Sequence, residues 1–204
     1  MKVIVINGSA HTEGCTARAL QEVENQLTSS GIEVERINVA VQPVRGCIGC
    51  RKCAEIKRCV FDDIVNEVAG KLDEADGLLI GSPVYYAGVN GQLRAFLDRL
   101  FYSSSSKSKS MKVGAVVVSS RRAGSTTAYD EIIKYFSIAS MPIVTSTYWN
   151  EVHGSNAAEV EQDLEGLQTL RNLGRNMAFL MKAIDSNRDS IPALERSERT
   201  NFIR

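Results

Sequence analysis

The sequence predicts an α/β protein with an open, doubly wound parallel sheet of five strands and helices on both faces. Short apolar runs alternate with longer amphipathic segments along the chain, which is typical of repeated βα units. Residues 2–6, 77–80 and 112–118 are nearly continuous apolar runs, as expected of strands buried on both faces of a parallel sheet. With 204 residues, 44% of them hydrophobic, the chain is long enough for one such domain.

The elements follow from apolar periodicity and from capping residues. Because crossovers between parallel strands are right-handed, ligands are expected at the carboxyl ends of the strands, beside the point where strand order reverses. Asp62 or Asp63 is a candidate cap for the second helix. The serine-rich stretch 103–110 is predicted to be a solvated loop. The predicted strands cover residues 2–6, 33–39, 77–80, 112–118 and 142–147, and the predicted helices cover 16–29, 63–72, 91–102, 126–138 and 159–184.

Residues 1–184 form the predicted domain, and the charged residues 185–204 form a tail. Two interpretations of the tail remain open: a disordered segment, or a contact with a neighbouring subunit. The chain has 24 basic and 24 acidic residues and no basic stripe with interleaved aromatics, so we expect no nucleic-acid partner. No apolar run approaches the roughly 20 residues of a membrane span, and the N-terminus lacks the pattern of a signal peptide. These features predict a cytoplasmic protein with reduced thiols.

The phosphate loop, residues 8–16, follows the first strand and leads into a helix. Its sequence, GSAHTEGCT, offers backbone amides, a helix N-terminus and the hydroxyls of Ser9, Thr12 and Thr16, which together suit an anion. Neither the Walker pattern nor the dinucleotide glycine pattern is present. A hydroxyl-rich loop without lysine favours a terminal monophosphate, while the alternative is a turn that only caps the helix.

Two further loops follow the third and fourth strands. The ring loop, residues 81–91, reads GSPVYYAGVNG, in which tyrosines supply flat apolar area and glycines permit close approach of the backbone. Such a loop can border a planar ligand such as a flavin, or its tyrosines can pack on the core. The third loop, residues 119–125, reads SSRRAGS. All three loops are expected at one edge of the sheet, which favours binding.

Four of the five cysteines lie within the cysteine loop, residues 47–59, with the spacing C-x2-C-x2-C-x5-C. Closely spaced thiols of this kind can hold an iron–sulfur cluster. Zinc fits less well, because zinc ribbons usually bring two separated cysteine pairs together. A loop that simply carries reduced thiols is the remaining alternative. The candidate ligands are Cys47, Cys50, Cys53 and Cys59.

These motifs, together with YWNEVHG and the helix DLEGLQTLRNLGRNMAFLMK, carry a resemblance that covers roughly residues 1–184. The sequence resembles the NAD(P)H-dependent FMN reductases of the flavodoxin-like superfamily, and within them the iron–sulfur flavoproteins. The resemblance implies non-covalent FMN, hydride transfer from NAD(P)H, and a homodimer or homotetramer in which subunits help to close each flavin site. It also implies that the cysteine loop corresponds to the compact motif of the iron–sulfur flavoproteins, with one [4Fe–4S] cluster as a possible cofactor.

The resemblance also assigns flavin contacts residue by residue. It implies contacts with the FMN phosphate and ribityl chain at Ser9, His11, Cys15 and Thr16. It implies ring contacts at Pro83, Val84, Tyr85, Tyr86 and Asn90 on one side and at Ser119 and Gly124 on the other.

The predicted function is FMN-dependent oxidation of NAD(P)H with transfer to a small-molecule or protein acceptor, such as a quinone, free flavin or an iron–sulfur cluster. Hydride transfer to a flavin needs no protein acid, base or nucleophile, so no catalytic side chain is predicted. Two alternatives are a non-enzymatic electron carrier and a metal-binding protein that uses its cysteines without flavin.

Overall fold

The computed structural model describes residues 1–104, 106–195, 198, 200 and 202. Its strands are β1 (Lys2–Asn7), β2 (Glu33–Asn38), β3 (Gly77–Tyr85), β4 (Gly88–Val89), β5 (Val113–Ser120) and β6 (Glu151–His153). Its helices are α1 (Cys15–Ser29), α2 (Cys53–Ile56), α3 (Ile64–Glu74), α4 (Gly91–Ser103), α5 (Ser106–Lys109), α6 (Ser125–Ile138), α7 (Ala157–Val160) and α8 (Leu164–Ser186).

The sheet has the order β2-β1-β3-β5-β6, and every pair along this path is parallel. Strand order reverses between β1 and β3, which places a ligand site at the carboxyl ends of these two strands. The short strand β4 pairs antiparallel with the end of β3 and forms a hairpin that the sequence did not predict. The predicted five-stranded, doubly wound fold is confirmed.

The sheet separates two hydrophobic cores, because side chains of a strand alternate between its faces. Ile4 and Ile6 of β1 pack with α3, α4 and α6, whereas Val3 and Val5 pack with α1 and α8. All four side chains are fully buried. This two-sided burial confirms the helices on both faces and explains why the central strands β1, β3 and β5 are largely apolar.

The predicted fifth strand at residues 142–147 is wrong. That segment meets β5 only at the bridge between Gly114 and Ile143, and the edge strand of the sheet is β6, further along the chain. Beyond this bridge, polar groups of Thr145 and Ser146 bond to α8 and not to the sheet. The Thr145 carbonyl accepts a hydrogen bond from Asn176 at 2.9 Å, and the Ser146 hydroxyl donates to the Thr169 carbonyl at 2.6 Å.

One helix prediction and one loop prediction also need correction. The helix predicted over residues 159–184 is divided into α7 and α8, and Asp163 caps α8 by accepting the amide of Gly166 at 2.9 Å. The predicted solvated loop at residues 103–110 contains α5 and the buried Lys109, which is 1% exposed. The cap predicted for the second helix is Asp63, whose carboxylate accepts the amide of Val65 at 3.1 Å.

Regular secondary structure continues beyond residue 184, the predicted end of the domain. Helix α8 extends to Ser186, and a 3₁₀ turn covers Arg188–Ser190. The Arg188 guanidinium pairs with Asp76 at 3.1 Å, so this part of the tail lies against the domain. Within the part of the chain that the structure describes, no helix is both long enough and apolar enough to cross a membrane. The predicted tail also includes residues 196, 197, 199, 201, 203 and 204, which lie outside the described residues.

Candidate functional site

The three loops at the carboxyl ends of β1, β3 and β5 converge on one cleft of about 810 Å³. The N-terminus of α1 opens into this cleft. A fourth wall comes from the segment after β6, which the sequence analysis did not assign to the site. The cleft is lined by residues 9–16, 83–85, 119–121 and 154–157.

Backbone and side-chain hydrogen bonds hold the phosphate loop on the sheet. The Gly8 amide donates to the Gly81 carbonyl at 2.9 Å, and the Ser9 amide donates to the Asn7 side chain at 3.1 Å. The Ser9 hydroxyl accepts the amide of His11 at 3.1 Å, which closes the turn. Because the N-cap Gly14 has no side chain, the first-turn amides of α1 are not capped from there and can bind an anion.

The start of α1 is joined to the two far walls of the cleft. The Thr16 and Ser119 hydroxyls are hydrogen-bonded at 2.8 Å, which connects the phosphate loop with the third loop. The Cys15 thiol donates to the carbonyl of Gly154 at 3.3 Å. Burial raises the pKa of Cys15, so this residue remains a neutral thiol at physiological pH. Cys15 is therefore a packing and hydrogen-bonding residue of the cleft.

The ring loop is a tight hairpin between β3 and β4. Its two turn residues, Tyr86 and Ala87, have φ values of 50° and 57°, the left-handed pair that a type I′ turn requires. Gly124 faces this turn with φ of 90°, and a Cβ there would lie 2.8 Å from the Cα of Ala87. Only glycine therefore lets the third loop approach the hairpin this closely.

The cysteine loop forms a second candidate site. Its four thiols, which are free and all lie in the described part of the chain, line one small pocket together with Phe61 and Arg99. The Asn66 side chain of α3 holds the end of the loop, because it accepts the Cys59 amide at 2.9 Å and donates to the Cys59 and Phe61 carbonyls at 3.0 Å each. Burial raises the pKa of Cys53, and the other three thiols add to this shift.

Comparison with known proteins identifies the family. The family described as NADPH-dependent FMN reductase matches residues 1–155. The chain belongs to this family. An iron–sulfur flavoprotein of Methanocaldococcus jannaschii is 38% identical over 191 residues, which cover 90% of this chain and 99% of the relative.

Two solved structures show the same fold. An archaeal flavodoxin has a TM-score of 0.61 at 18% identity, covering 89% of this chain and 99% of its own. The apo form of an NADH:FMN oxidoreductase has a TM-score of 0.63 at 17% identity, covering 87% and 88%. The fold is therefore flavodoxin-like, and family membership makes the chain a flavin-binding oxidoreductase.

The cleft of this FMN reductase family member fits a flavin mononucleotide. The uncapped amides of α1 and the hydroxyls of Ser9 and Thr16 suit a phosphate. The hairpin supplies an apolar wall at Val84 and Tyr85, and both residues line the cleft. This combination of one anion-binding end and one flat apolar end matches the two ends of FMN.

The cysteine loop has the donor chemistry for an iron–sulfur cluster. Among the residues that the structure describes, no three His, Cys, Asp or Glu side chains converge closely enough to hold a single metal ion. The four thiols instead surround a shared pocket whose other walls are largely apolar. Two of the sulfurs already accept hydrogen bonds, from the Gly49 amide at 3.5 Å and from Arg99 at 3.2 Å, as cluster thiolates do.

The structure places most, but not all, of the expected flavin contacts in the cleft. Tyr86 is fully exposed at the hairpin tip, Asn90 is buried as the N-cap of α4, and Gly124 packs under the hairpin. The cleft lining includes Ser9, His11, Cys15, Thr16, Pro83, Val84, Tyr85 and Ser119.

Sequence reasoning missed the wall formed by residues 154–157 and the buried Arg99 beside the cysteine loop. The first miss follows from the misplaced fifth strand, since a strand ending at residue 147 gives no reason to place residues 154–157 at the sheet edge. The second had no local signal, because Arg99 meets the cysteine loop only through tertiary packing.

Proposed function

We propose that this protein is an FMN-dependent oxidoreductase that oxidises NAD(P)H and passes the electrons to a quinone, to free flavin or to an iron–sulfur cluster. The observation that carries the proposal is the convergence of three strand-end loops on one cleft at the N-terminus of α1. Membership of the NADPH-dependent FMN reductase family supports the choice of donor and cofactor.

Bound FMN supplies the hydride-accepting ring, and the protein supplies its position. The first-turn amides of α1 would hold the phosphate, together with Ser9 and Thr16. The hairpin would border the ring at Tyr85, and the pair Thr16–Ser119 would keep the two sides of the cleft at a fixed separation. None of these groups has to accept or donate a proton, so substitutions are expected to act through geometry.

Steady-state and single-turnover kinetics test this proposal. Donor and acceptor are expected to use the same cleft in turn, so double-reciprocal plots should give the parallel lines of a ping-pong cycle.

Replacing Tyr85 with alanine should slow anaerobic flavin reduction, because small misplacements of reacting atoms have large effects on rate. Phe179→Ala, at an exposed aromatic of α8 outside the cleft lining, is the control. A protein whose FMN is reduced by neither NADH nor NADPH would instead be an electron carrier.

The cysteine loop is proposed to hold one [4Fe–4S] cluster through Cys47, Cys50, Cys53 and Cys59. The shared pocket of the four thiols and the iron–sulfur flavoprotein names of the relatives support this. Anaerobic reconstitution should load iron and sulfide in equal amounts. Cys50→Ala should abolish the loading, whereas Cys15→Ala should leave it unchanged because Cys15 lies in the flavin cleft. If the wild type takes up no sulfide, the cluster is excluded, but the proposal that the cleft binds FMN is not affected.

We also propose a cytoplasmic homodimer or homotetramer without nucleic-acid or membrane partners. Exposed aromatic side chains support the assembly, since Tyr86, Tyr148 and Trp149 are each at least half exposed. Sedimentation of the FMN-loaded protein should give at least twice the monomer mass. A monomer at micromolar concentration would contradict the assembly.

A further inference from the structure

Arg99 is a buried arginine of α4 whose side chain reaches the cysteine loop. It is 1% exposed. Its Nε donates to the Cys59 sulfur at 3.2 Å. Its two terminal nitrogens form a fork with the Asp63 carboxylate at 2.7 and 2.8 Å. They also donate to the carbonyls of Arg45 at 3.2 Å and Phe61 at 3.3 Å.

These acceptors lie on both sides of the cysteine loop. Arg45 precedes its first cysteine, and Phe61 and Asp63 follow its last. One side chain therefore closes the loop at its base. Arginine suits this position because its planar fork presents five donors in a fixed arrangement, which the single ammonium of lysine cannot reproduce.

The other positively charged side chains near the cysteines differ from Arg99 because they are exposed to solvent. Arg58 lies directly before Cys59, but its side chain is 61% exposed and pairs with Asp62 at 3.3 Å. Solvent and salt screen an exposed charge of this kind. The Arg99 donor is in contact with the sulfur and shielded from water, so its electrostatic effect on that sulfur is much larger.

We propose that Arg99 is the positioning residue of the cysteine loop and that its hydrogen bond to Cys59 raises the reduction potential of the cluster bound there. The second half of this inference rests on the cluster of the proposed function. Reduction adds one electron to the cluster and its thiolates. A donor on a ligand sulfur stabilises the added negative charge, so removal of that donor makes the potential more negative.

The positioning role is tested on the full-length, metal-free protein by amide hydrogen exchange. In Arg99→Lys, the hydrogen-bonded amides of residues 54–57 and 59 should exchange at least about tenfold faster, because the loop base opens more often when its ties are lost. The amides of β1 and α1 should keep their wild-type rates. Arg58→Gln is the matched control, and its loop should exchange like the wild type. Unchanged exchange of the loop in Arg99→Lys would overturn the positioning role.

The effect on the cluster is tested by potentiometric titration of reconstituted protein, followed by electron paramagnetic resonance. Arg99→Lys keeps the charge but loses the Nε donor, and its cluster potential should be more negative than that of the wild type. Arg58→Gln removes a neighbouring charge and should leave the potential nearly unchanged. An unchanged potential in Arg99→Lys, or an equal shift in both variants, would overturn the hydrogen-bond role.

These outcomes are separable from failure of the proposed cluster. If the wild type itself binds no iron and sulfide, the cluster and the effect of Arg99 on its potential are both excluded. Hydrogen exchange then still decides whether Arg99 positions the loop. If Arg99→Lys does not fold, Arg99→Gln takes its place with the same expected directions, because it loses the Nε donor and the guanidinium fork and, like Arg58→Gln, one positive charge.

Discussion

At the residue scale, Gly8 shows how closely the phosphate loop lies against its neighbours. A Cβ at this position would meet the side chain of Leu93 and would lie 2.8 Å from the Gly81 carbonyl oxygen. That same carbonyl accepts the Gly8 amide, so the backbone cannot withdraw without losing a hydrogen bond. The loop is therefore held in place by a contact that only glycine permits.

Gly8→Ala is expected to lower the free energy of unfolding by about 1–3 kcal/mol, the usual cost of overpacking, and to weaken FMN binding by displacing the loop. Urea denaturation and flavin titration measure the two effects. Gly91→Ala is the control, because a Cβ there meets no heavy atom within 4 Å in the described part of the chain. Equal behaviour of the two variants would contradict the packing argument.

Lys109 is the residue from which we expect a pH-dependent stability. Burial lowers its pKa to about 8, and its ammonium donates to the carbonyl and hydroxyl of Ser104 at 2.8 Å each. The unfolded chain binds this proton up to a pH near the ordinary lysine value of 10.5. Between pH 8 and that value the unfolded state therefore binds more protons, and stability rises with pH.

Relative to Lys109→Met, the wild type should gain on the order of 3 kcal/mol in free energy of unfolding as the pH rises through this interval. Below pH 8 the difference between the two proteins should be constant. Urea denaturation from pH 7 to 10.5 measures it. Lys112, whose pKa is also lowered by burial, is present in both proteins and cancels in the difference. A difference that does not change with pH would exclude the lowered pKa.

At the scale of elements, Asn90 forms the N-terminal cap of α4. Asn90 was expected to contact the flavin ring. The structure shows its side chain capping α4, where it accepts the amides of Gln92 at 2.8 Å and Leu93 at 3.4 Å. The residue is 5% exposed. The cap accounts for the burial of the side-chain oxygen, and contact of Asn90 with the flavin ring stays a prediction.

Asn90→Ala should therefore lower the free energy of unfolding by about 0.5–2 kcal/mol through loss of the cap. Asn90→Asp keeps an oxygen acceptor at the helix N-terminus and should be close to the wild type in thermal and urea denaturation. If Asn90→Ala retains wild-type stability but loses FMN affinity, the side chain serves the ligand and the capping interpretation is wrong.

At the scale of the whole molecule, the cleft combines loops that are far apart in sequence into one site. Its anion-binding end is the N-terminus of one helix, and the dinucleotide glycine pattern is absent from the loop. A single terminal phosphate suits this arrangement better than a pyrophosphate. The apo-protein should therefore bind FMN more tightly than FAD in parallel fluorescence titrations.

The same titration tests the phosphate contacts. Replacing Ser9 and Thr16 together with alanine should weaken FMN binding, with about 1.5–3 kcal/mol lost for each charge-assisted hydrogen bond. Thr28→Ala with Ser29→Ala, at the far end of the same helix, is the matched control and should leave the affinity unchanged. Tighter binding of FAD, or an unchanged affinity for FMN in the first double variant, would count against the site.

The fold class, the strand-end loops and the cysteine spacing can be predicted from the amino-acid sequence alone. These are local properties: buried parallel strands have to be apolar, and turns between strand and helix need glycine and hydroxyl residues. The motifs that carried the family resemblance lie in those same loops. Eight of the expected flavin contacts consequently line the cleft.

The edge of the sheet and the surroundings of the cysteines could not be predicted in this way, because they depend on contacts in the folded chain. Residues 142–147 have a strand-like pattern, but α8 supplies hydrogen-bond partners to Thr145 and Ser146 that no local rule can anticipate. Arg99 likewise belongs to an ordinary amphipathic helix in the sequence, and its contact with Cys59 spans 40 residues. Such contacts form between elements that are distant in the chain, so their energy is absent from any local pattern and depends on the packed fold.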